Sequence, residues 1–144
     1  MRVKIQRLNL NLPLPQYSHP SDAGVDLYYA GEDIEIQPLS RQILPTGIKV
    51  AVPVGYELQI RPRSGLAFKE GLTVLNTPGT IDSGYRGEVK IIIFNSNPST
   101  SIKIKKCQRI AQAVLKKVET IEWEEVVSLD NTSRNTGGFG STGE

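Results

Sequence analysis

Cysteine and histidine are almost missing from this chain: Cys107 and His19 stand alone among 144 residues. A single cysteine excludes an intrachain disulfide and any metal site built on paired cysteines. A single histidine excludes a histidine-cluster metal site and leaves little room for a histidine-based triad. Long apolar runs are absent too. The longest, Ile91-Ile92-Ile93-Phe94, is far short of the ~20 residues that cross a bilayer. The N-terminal stretch M-R-V-K-I-Q-R-L-N-L alternates polar and apolar residues and lacks the continuous apolar core of a secretory signal. A soluble, cytoplasmic protein with no membrane partner is expected. No sign of charge dominates: 17 Lys and Arg face 15 Asp and Glu, for a net charge of +2. Bulk attraction to nucleic acid is therefore not expected, and any phosphate binding must be local.

Glycine and proline are plentiful, at thirteen and nine residues. They separate short apolar runs: Val3-Ile5, Val25 to Tyr29, Ile34-Ile36, Ile43 to Val52, Tyr56 to Ile60, Leu72 to Leu75, Val89 to Phe94, Ile102-Ile104 and Ile110 to Val118. No stretch keeps a helical period beyond about two turns. Only Leu66 to Glu70 predicts a helical turn, ended by Gly71. Many short strands between regular turn signals predict an all-β sandwich or barrel, with a jelly-roll path among the options. The β-branched run from Val89 to Phe94 predicts a strand buried on both faces. Composition changes near Asp130, which divides a β-barrel core over 1–130 from an arm over 131–144.

That arm, D-N-T-S-R-N-T-G-G-F-G-S-T-G-E, holds four glycines, five Ser or Thr, one arginine and one large apolar side chain, Phe139. It cannot bury enough apolar area to offset the entropy of ordering its backbone. Glycines beside hydroxyls and an arginine suit a backbone that wraps a phosphate chain, and a lone ring can stack on a base. The arm reads as a lid that orders on a nucleotide, or as a frayed terminus.

Four body segments carry further chemistry. In A-G-V-D-L, residues 23–27, Asp26 is either a turn-stabilising residue or a placed carboxylate. In R-P-R-S-G-L-A, residues 61–67, the Arg63 fork, the Ser64 hydroxyl and the Gly65 N–H are donors suited to phosphate oxygens, if not simply a solvated turn. In N-T-P-G-T-I-D-S-G-Y-R-G-E-V, residues 76–89, the glycines let a ligand approach the backbone closely. There Asp82 is a candidate general base, against an Asx-turn. Asn76 suits a base edge, and Tyr85 is a candidate contact or a packing residue. In R-I-A-Q, residues 109–112, Arg109 and Gln112 cannot share a buried face without partners, and an exposed strand start is the plain reading.

Taken together and in this order, the five segments resemble the motifs of the trimeric dUTPases. The resemblance runs from Ala23 to Gly143. It implies a jelly-roll-like (β-clip) subunit with one short helix and a flexible C-terminal arm, and a homotrimer with sites at subunit interfaces. It also implies a reaction: dUTP and water give dUMP and pyrophosphate, which keeps uracil out of DNA and supplies dUMP for thymidylate synthesis. By the same resemblance Asp82 activates the water that attacks the α-phosphorus. Tyr85 packs on the deoxyribose, and Asn76, Gly79 and Ile81 fall in the uracil pocket. Arg63, Ser64, Gly65 and Gln112 match phosphate contacts, while Arg134, Phe139, Gly140 and Ser141 match the closing arm. Mg²⁺ is implied, held mainly by triphosphate and water, with Asp26 supporting its water shell. Fifteen extended residues reach roughly 50 Å, enough for the arm to cross to a neighbour.

Two departures stand out. Gly84 occupies a place where many members carry an acid, and Cys107-Gln108 replaces the usual Gly-acid pair before the fourth motif. Cys107 has no catalytic partner in sequence and reads as structural. Three rivals are weaker. A deoxycytidine triphosphate deaminase needs paired serines and a further arginine near the second motif. A regulator without catalysis leaves Asp82 unexplained. A P-loop NTPase needs a G-K-S or G-K-T turn before a helix, and the arm has no lysine.

Overall fold

The computed structural model describes residues 1–138. Among them the chain forms eleven short strands and one helix. The first five strands are β1 (Lys4–Arg7), β2 (Val25–Tyr28), β3 (Ile34–Ile36), β4 (Arg41–Pro45) and β5 (Ile48–Ala51). Then come β6 (Tyr56–Arg61), α1 (Ser64–Glu70), β7 (Leu72–Val74) and β8 (Gly79–Ile81). The last three are β9 (Lys90–Asn95), β10 (Ile102–Ile104) and β11 (Arg109–Lys117). The mostly-β architecture with one short helix is as expected. Gly71 ends α1 in the left-handed region (φ 65°, ψ 23°), and its N–H returns to the Ala67 carbonyl.

The strands pair antiparallel in four sheets: β2-β11-β6-β8, β4-β9-β7, β1-β5 and β3-β10. None of these closes on itself, so the expected barrel is corrected to a set of small open sheets around one core. The cause is punctuation. Pro38, Gly47, Pro53 and Gly55 stop strands after three to six residues, and only β11 reaches nine.

The core gathers one face of each sheet. Leu27, Ile36, Leu44, Leu72, Ile91, Ile93, Ile104 and Ile110 are all buried in one cluster, each such side chain contributing about 1.5–3 kcal/mol. The buried Asn95 is fully used. Its amide donates to the carbonyls of Ile36, Gln37 and Thr100, and its oxygen accepts from the N–H of Asn97. In β9 the expectation of two buried faces is corrected. Ile91 and Ile93 are buried while Ile92 and Phe94 are only half covered, because no element among the described residues fully covers the outer side of β4-β9-β7. Ile43 lies opposite Ile92 on that side and is exposed.

Candidate active site

The sheet β2-β11-β6-β8 places the first group of candidate residues. Asp26 on β2 lies opposite Gln112 on β11, which lies opposite Arg61 on β6. Directly paired residues share a face, so these three side chains point the same way. Two residues past β6, Arg63 donates from Nε to Asp26 Oδ1 at 2.9 Å, and Gln112 donates from Nε2 to the Pro62 carbonyl at 2.9 Å. Gly24 is needed there: a Cβ on it would sit 2.1 Å from Gln112 Oε1. Ser64 and Gly65 follow Arg63 and are exposed at the start of α1.

Arg109 joins this corner as well. Strict alternation puts positions 109 and 112 on opposite faces of a strand. A bulge in β11 undoes that: Arg109 pairs with Tyr28 while Ala111 pairs with Leu27. Tyr28 and Asp26 are two apart on β2, so Arg109 returns to the face of Asp26. Its Nη1 donates to Asp26 Oδ2 at 3.0 Å. Both carboxylate oxygens of Asp26 thus carry a guanidinium, and the Arg63–Asp26–Arg109 group has one net positive charge. Among the described residues no three His, Cys, Asp or Glu side chains come together as a metal-ligand set. The donor set fits a metal that arrives on a polyphosphate rather than one the protein holds alone.

A second group surrounds β8. A cavity of about 120 Å³ opens between β8 and β9, lined by Asn76, Gly79, Ile81, Ile60 and Val74. Ile60 and Arg61 are successive in β6 and face opposite ways, so this cavity lies on the other side of the sheet from the arginine corner. Past β8, Asp82 and Tyr85 are exposed and share a turn in which the Tyr85 N–H donates to the Asp82 carbonyl at 3.1 Å. Tyr85 Oη donates to the Glu88 carbonyl at 2.9 Å, and Glu88 Oε1 accepts from the Gly47 N–H at 2.9 Å. The loop is thereby tied to the β4–β5 turn. A Cβ on Gly87 would meet Tyr85 Oη at 2.3 Å, so only glycine leaves the ring where it is. Gly84 has nothing within 4 Å, and no local crowding requires glycine there.

The two groups do not meet within one chain. Ile81 pairs with Leu58, so Asp82 stands level with Glu57, whereas Gln112 is level with Arg61. Four residues of strand separate those levels by ~13 Å. Asp26 also lies three strands away from β8, roughly 14 Å across the sheet. No side-chain hydrogen bond among the described residues joins the groups. Arg134 belongs to neither: it is exposed in a turn of its own, its Nε donating to the Gly137 carbonyl at 2.9 Å. Phe139, Gly140 and Ser141 lie outside the described residues.

A family model described as dUTPase matches residues 11–143. The deoxyuridine 5'-triphosphate nucleotidohydrolase of Thermobifida fusca (strain YX) is 51% identical over 143 residues, covering 99% of this chain and 79% of that protein. The protein of the same name from Nautilia profundicola is 51% identical over 144 residues and covers 100% of both. Among solved structures, the Staphylococcus bacteriophage 80alpha dUTPase with dUPNHPP aligns with a TM-score of 0.88 at 27% identity, covering 99% of each chain.

Proposed function

The chain belongs to the dUTPase family and hydrolyses dUTP, and from that premise we propose that water attacks the α-phosphorus to give dUMP and pyrophosphate. The observation that carries this reading is the span of the family match, which takes in all five segments between Ala23 and Gly143. In the proposed mechanism Asp82 orients the attacking water and takes its proton, in line with the departing pyrophosphate. Its exposure on a glycine-rich loop supports that role, since substrate backbone and protein backbone can approach closely there. Tyr85 lies against the deoxyribose and leaves no room for a 2′-hydroxyl. Asn76, Gly79 and Ile81 line the uracil pocket, for which the cavity beside β8 is the candidate.

Arg63, Ser64, Gly65 and Gln112 hold the phosphates as charged and neutral donors aimed at the developing charge. The arm closes over them with Arg134 on the terminal phosphate and Phe139, Gly140 and Ser141 over the nucleotide. Mg²⁺ enters as part of the substrate, bound to triphosphate oxygens, where it neutralises charge.

A homotrimer completes the proposal. The separation of the two residue groups supports it, since a second copy can bring Asp82 and Tyr85 to the arginine corner. Uncovered apolar side chains support it as well. Ile121, Trp123, Val127 and Leu129 follow β11 and are exposed, Trp123 by 85%. An apolar trough of about 340 Å³ lies between the N-terminal stretch and β2, β5 and β11. Such surfaces mark interaction sites. No helix of the described residues is long and apolar enough to cross a membrane, and action in the cytoplasm on free nucleotide accompanies this reading.

Pyrophosphate release with Mg²⁺ tests it, with dUTP compared against dCTP, dTTP and UTP. Rapid release from dUTP alone is expected. Ammonia from dCTP would move the protein to the deaminases, and tight dUTP binding without product would make it a binding protein.

A further inference from the structure

We propose that Glu88 is a positioning residue for the choice of dUTP over UTP: its carboxylate, bonded to the Gly47 N–H, fixes the carbonyl that orients the Tyr85 ring. This deepens the dUTPase reading and rests on it, and on Tyr85 lying against the deoxyribose. The turn from Asp82 to Glu88 is closed from within. The Tyr85 N–H donates to the Asp82 carbonyl, and Arg86 Nη1 donates to the carbonyls of Ser83 and Tyr85 at 2.7 Å. A turn closed in this way moves as a unit, so its ties to the body set where the ring lies. Among the described residues one side-chain hydrogen bond makes that tie, from the Gly47 N–H to Glu88 Oε1 at 2.9 Å.

The far end of the tie is firmly held. The Gly47 carbonyl accepts from the Leu8 N–H at 2.7 Å, and the Pro45 carbonyl accepts from the Ala30 N–H at 2.9 Å. Between them Thr46, 2% exposed, donates from its hydroxyl to the Val89 carbonyl at 2.5 Å. The Val89 N–H in turn donates to the Ile48 carbonyl at 2.9 Å. The chain is thus fixed at Val89, and the Glu88 side chain carries that hold one residue nearer the ring. A carboxylate that accepts from a backbone N–H makes a charge-assisted bond, roughly twice as strong as a neutral one. Tyr85 is 44% exposed, so packing alone does not set its ring, and the hydroxyl bond to the Glu88 carbonyl does. An apolar surface that yields rejects an added hydroxyl only weakly. Rejection of a ribose therefore depends on how firmly the ring is held.

Steady-state kinetics of the full chain with Mg²⁺, on dUTP and on UTP, test this. Glu88→Ala is expected to lower the ratio of kcat/KM for dUTP to that for UTP by about tenfold, the scale of a lost hydrogen bond to a charged group. Glu88→Gln keeps an acceptor oxygen at the same reach and should restore most of the ratio. Glu88→Asp is shorter by one methylene and should not. On Tyr85→Phe, which lacks the hydroxyl, Glu88→Ala should change the ratio by less than about threefold, since both substitutions act on one bond. Calorimetry with inorganic tripolyphosphate, which has no sugar, should give wild-type affinity in every Glu88 variant.

Equal falls for both nucleotides, or loss of tripolyphosphate binding along with them, would mean that Glu88 only holds the fold together. Glu88→Gln as poor as Glu88→Ala, or fully multiplicative losses with Tyr85→Phe, would detach Glu88 from the ring. Should Glu88→Ala fail to fold, Glu88→Gln against Glu88→Asp decides by the same ratio. A wild-type protein that selects dUTP, with every Glu88 variant keeping that selection, would overturn this inference alone. A wild-type protein that turns over dUTP and UTP alike would overturn the place of Tyr85 on the sugar, and this inference with it.

Discussion

Asp82 stands exposed one residue past β8, and its proposed role is tested most directly by a change that keeps its shape. Asp82→Asn is expected to remove nearly all turnover while leaving dUPNHPP affinity largely intact, measured by single-turnover kinetics and calorimetry. Comparable turnover in the variant would show that another group takes the proton. Gly87 offers a sharper residue-scale test, because it acts only through Tyr85. A methyl group there would lie 2.3 Å from Tyr85 Oη, so Gly87→Ala must turn the ring away. We expect kcat/KM for dUTP to fall by about tenfold, ~1.4 kcal/mol, with weaker rejection of UTP. Gly84→Ala, with open space around it, should change little in either assay. At this scale the sequence showed which residue types were unusual and made Asp82, Tyr85 and Gln112 candidates. It could not show that Gly24 and Gly87 make room for Gln112 and Tyr85, since a glycine's neighbours across space leave no mark beside it in the chain.

Elements were legible where apolar residues alternate between turn signals, and less so where pairing decides. β2, β3, β6, β10 and the short helix fall where the alternation and Gly71 predict them. β8 was not foreseen, because its two β-branched residues, Thr80 and Ile81, stand between Gly79 and Asp82 in a run too short to read as a strand, and pairing with β6 holds them. The bulge in β11 was equally hidden, and with it the place of Arg109. The turn that leads into β11 carries its own prediction. Cys107 has φ 63°, a left-handed conformation that costs a side chain about 1–2 kcal/mol. The thiol is exposed and free, so removing it empties no packed space. Cys107→Gly should raise stability by about 0.5–1 kcal/mol, after the added freedom of the unfolded chain is subtracted, with activity unchanged. A higher denaturant midpoint at constant slope would bear this out, and a lower one would mean that the thiol makes a contact in the assembled protein.

For the whole molecule, β11 ends at Lys117, and residues 119–136 are exposed throughout. A chain that leaves the body so early depends on it little for its own order. Deleting residues after Asn131 is expected to leave a folded protein with its assembly state unchanged and to cut dUTP turnover by at least about tenfold, ~1.4 kcal/mol in the barrier. Sedimentation and thermal unfolding separate this from a structural role, in which the truncated protein would fall apart or unfold. The linear order of the five segments suggests one site assembled in one chain. Strand register puts Asp82 and Gln112 about 13 Å apart along the same sheet, which supports the proposal of a site shared between copies.

That separation has a genetic corollary. If each site draws its carboxylate base from one copy and its arginine corner from another, two defective alleles need not add up to a dead enzyme. Chains bearing Asp82→Asn and chains bearing Arg63→Gln should each be nearly inactive alone. Unfolded and refolded together, they should yield mixed assemblies in which a minority of sites inherit both intact halves. Recovery of dUTP turnover from two silent parents would report the shared site directly, and persistent silence in assemblies proven to be mixed would mean that each chain closes its own.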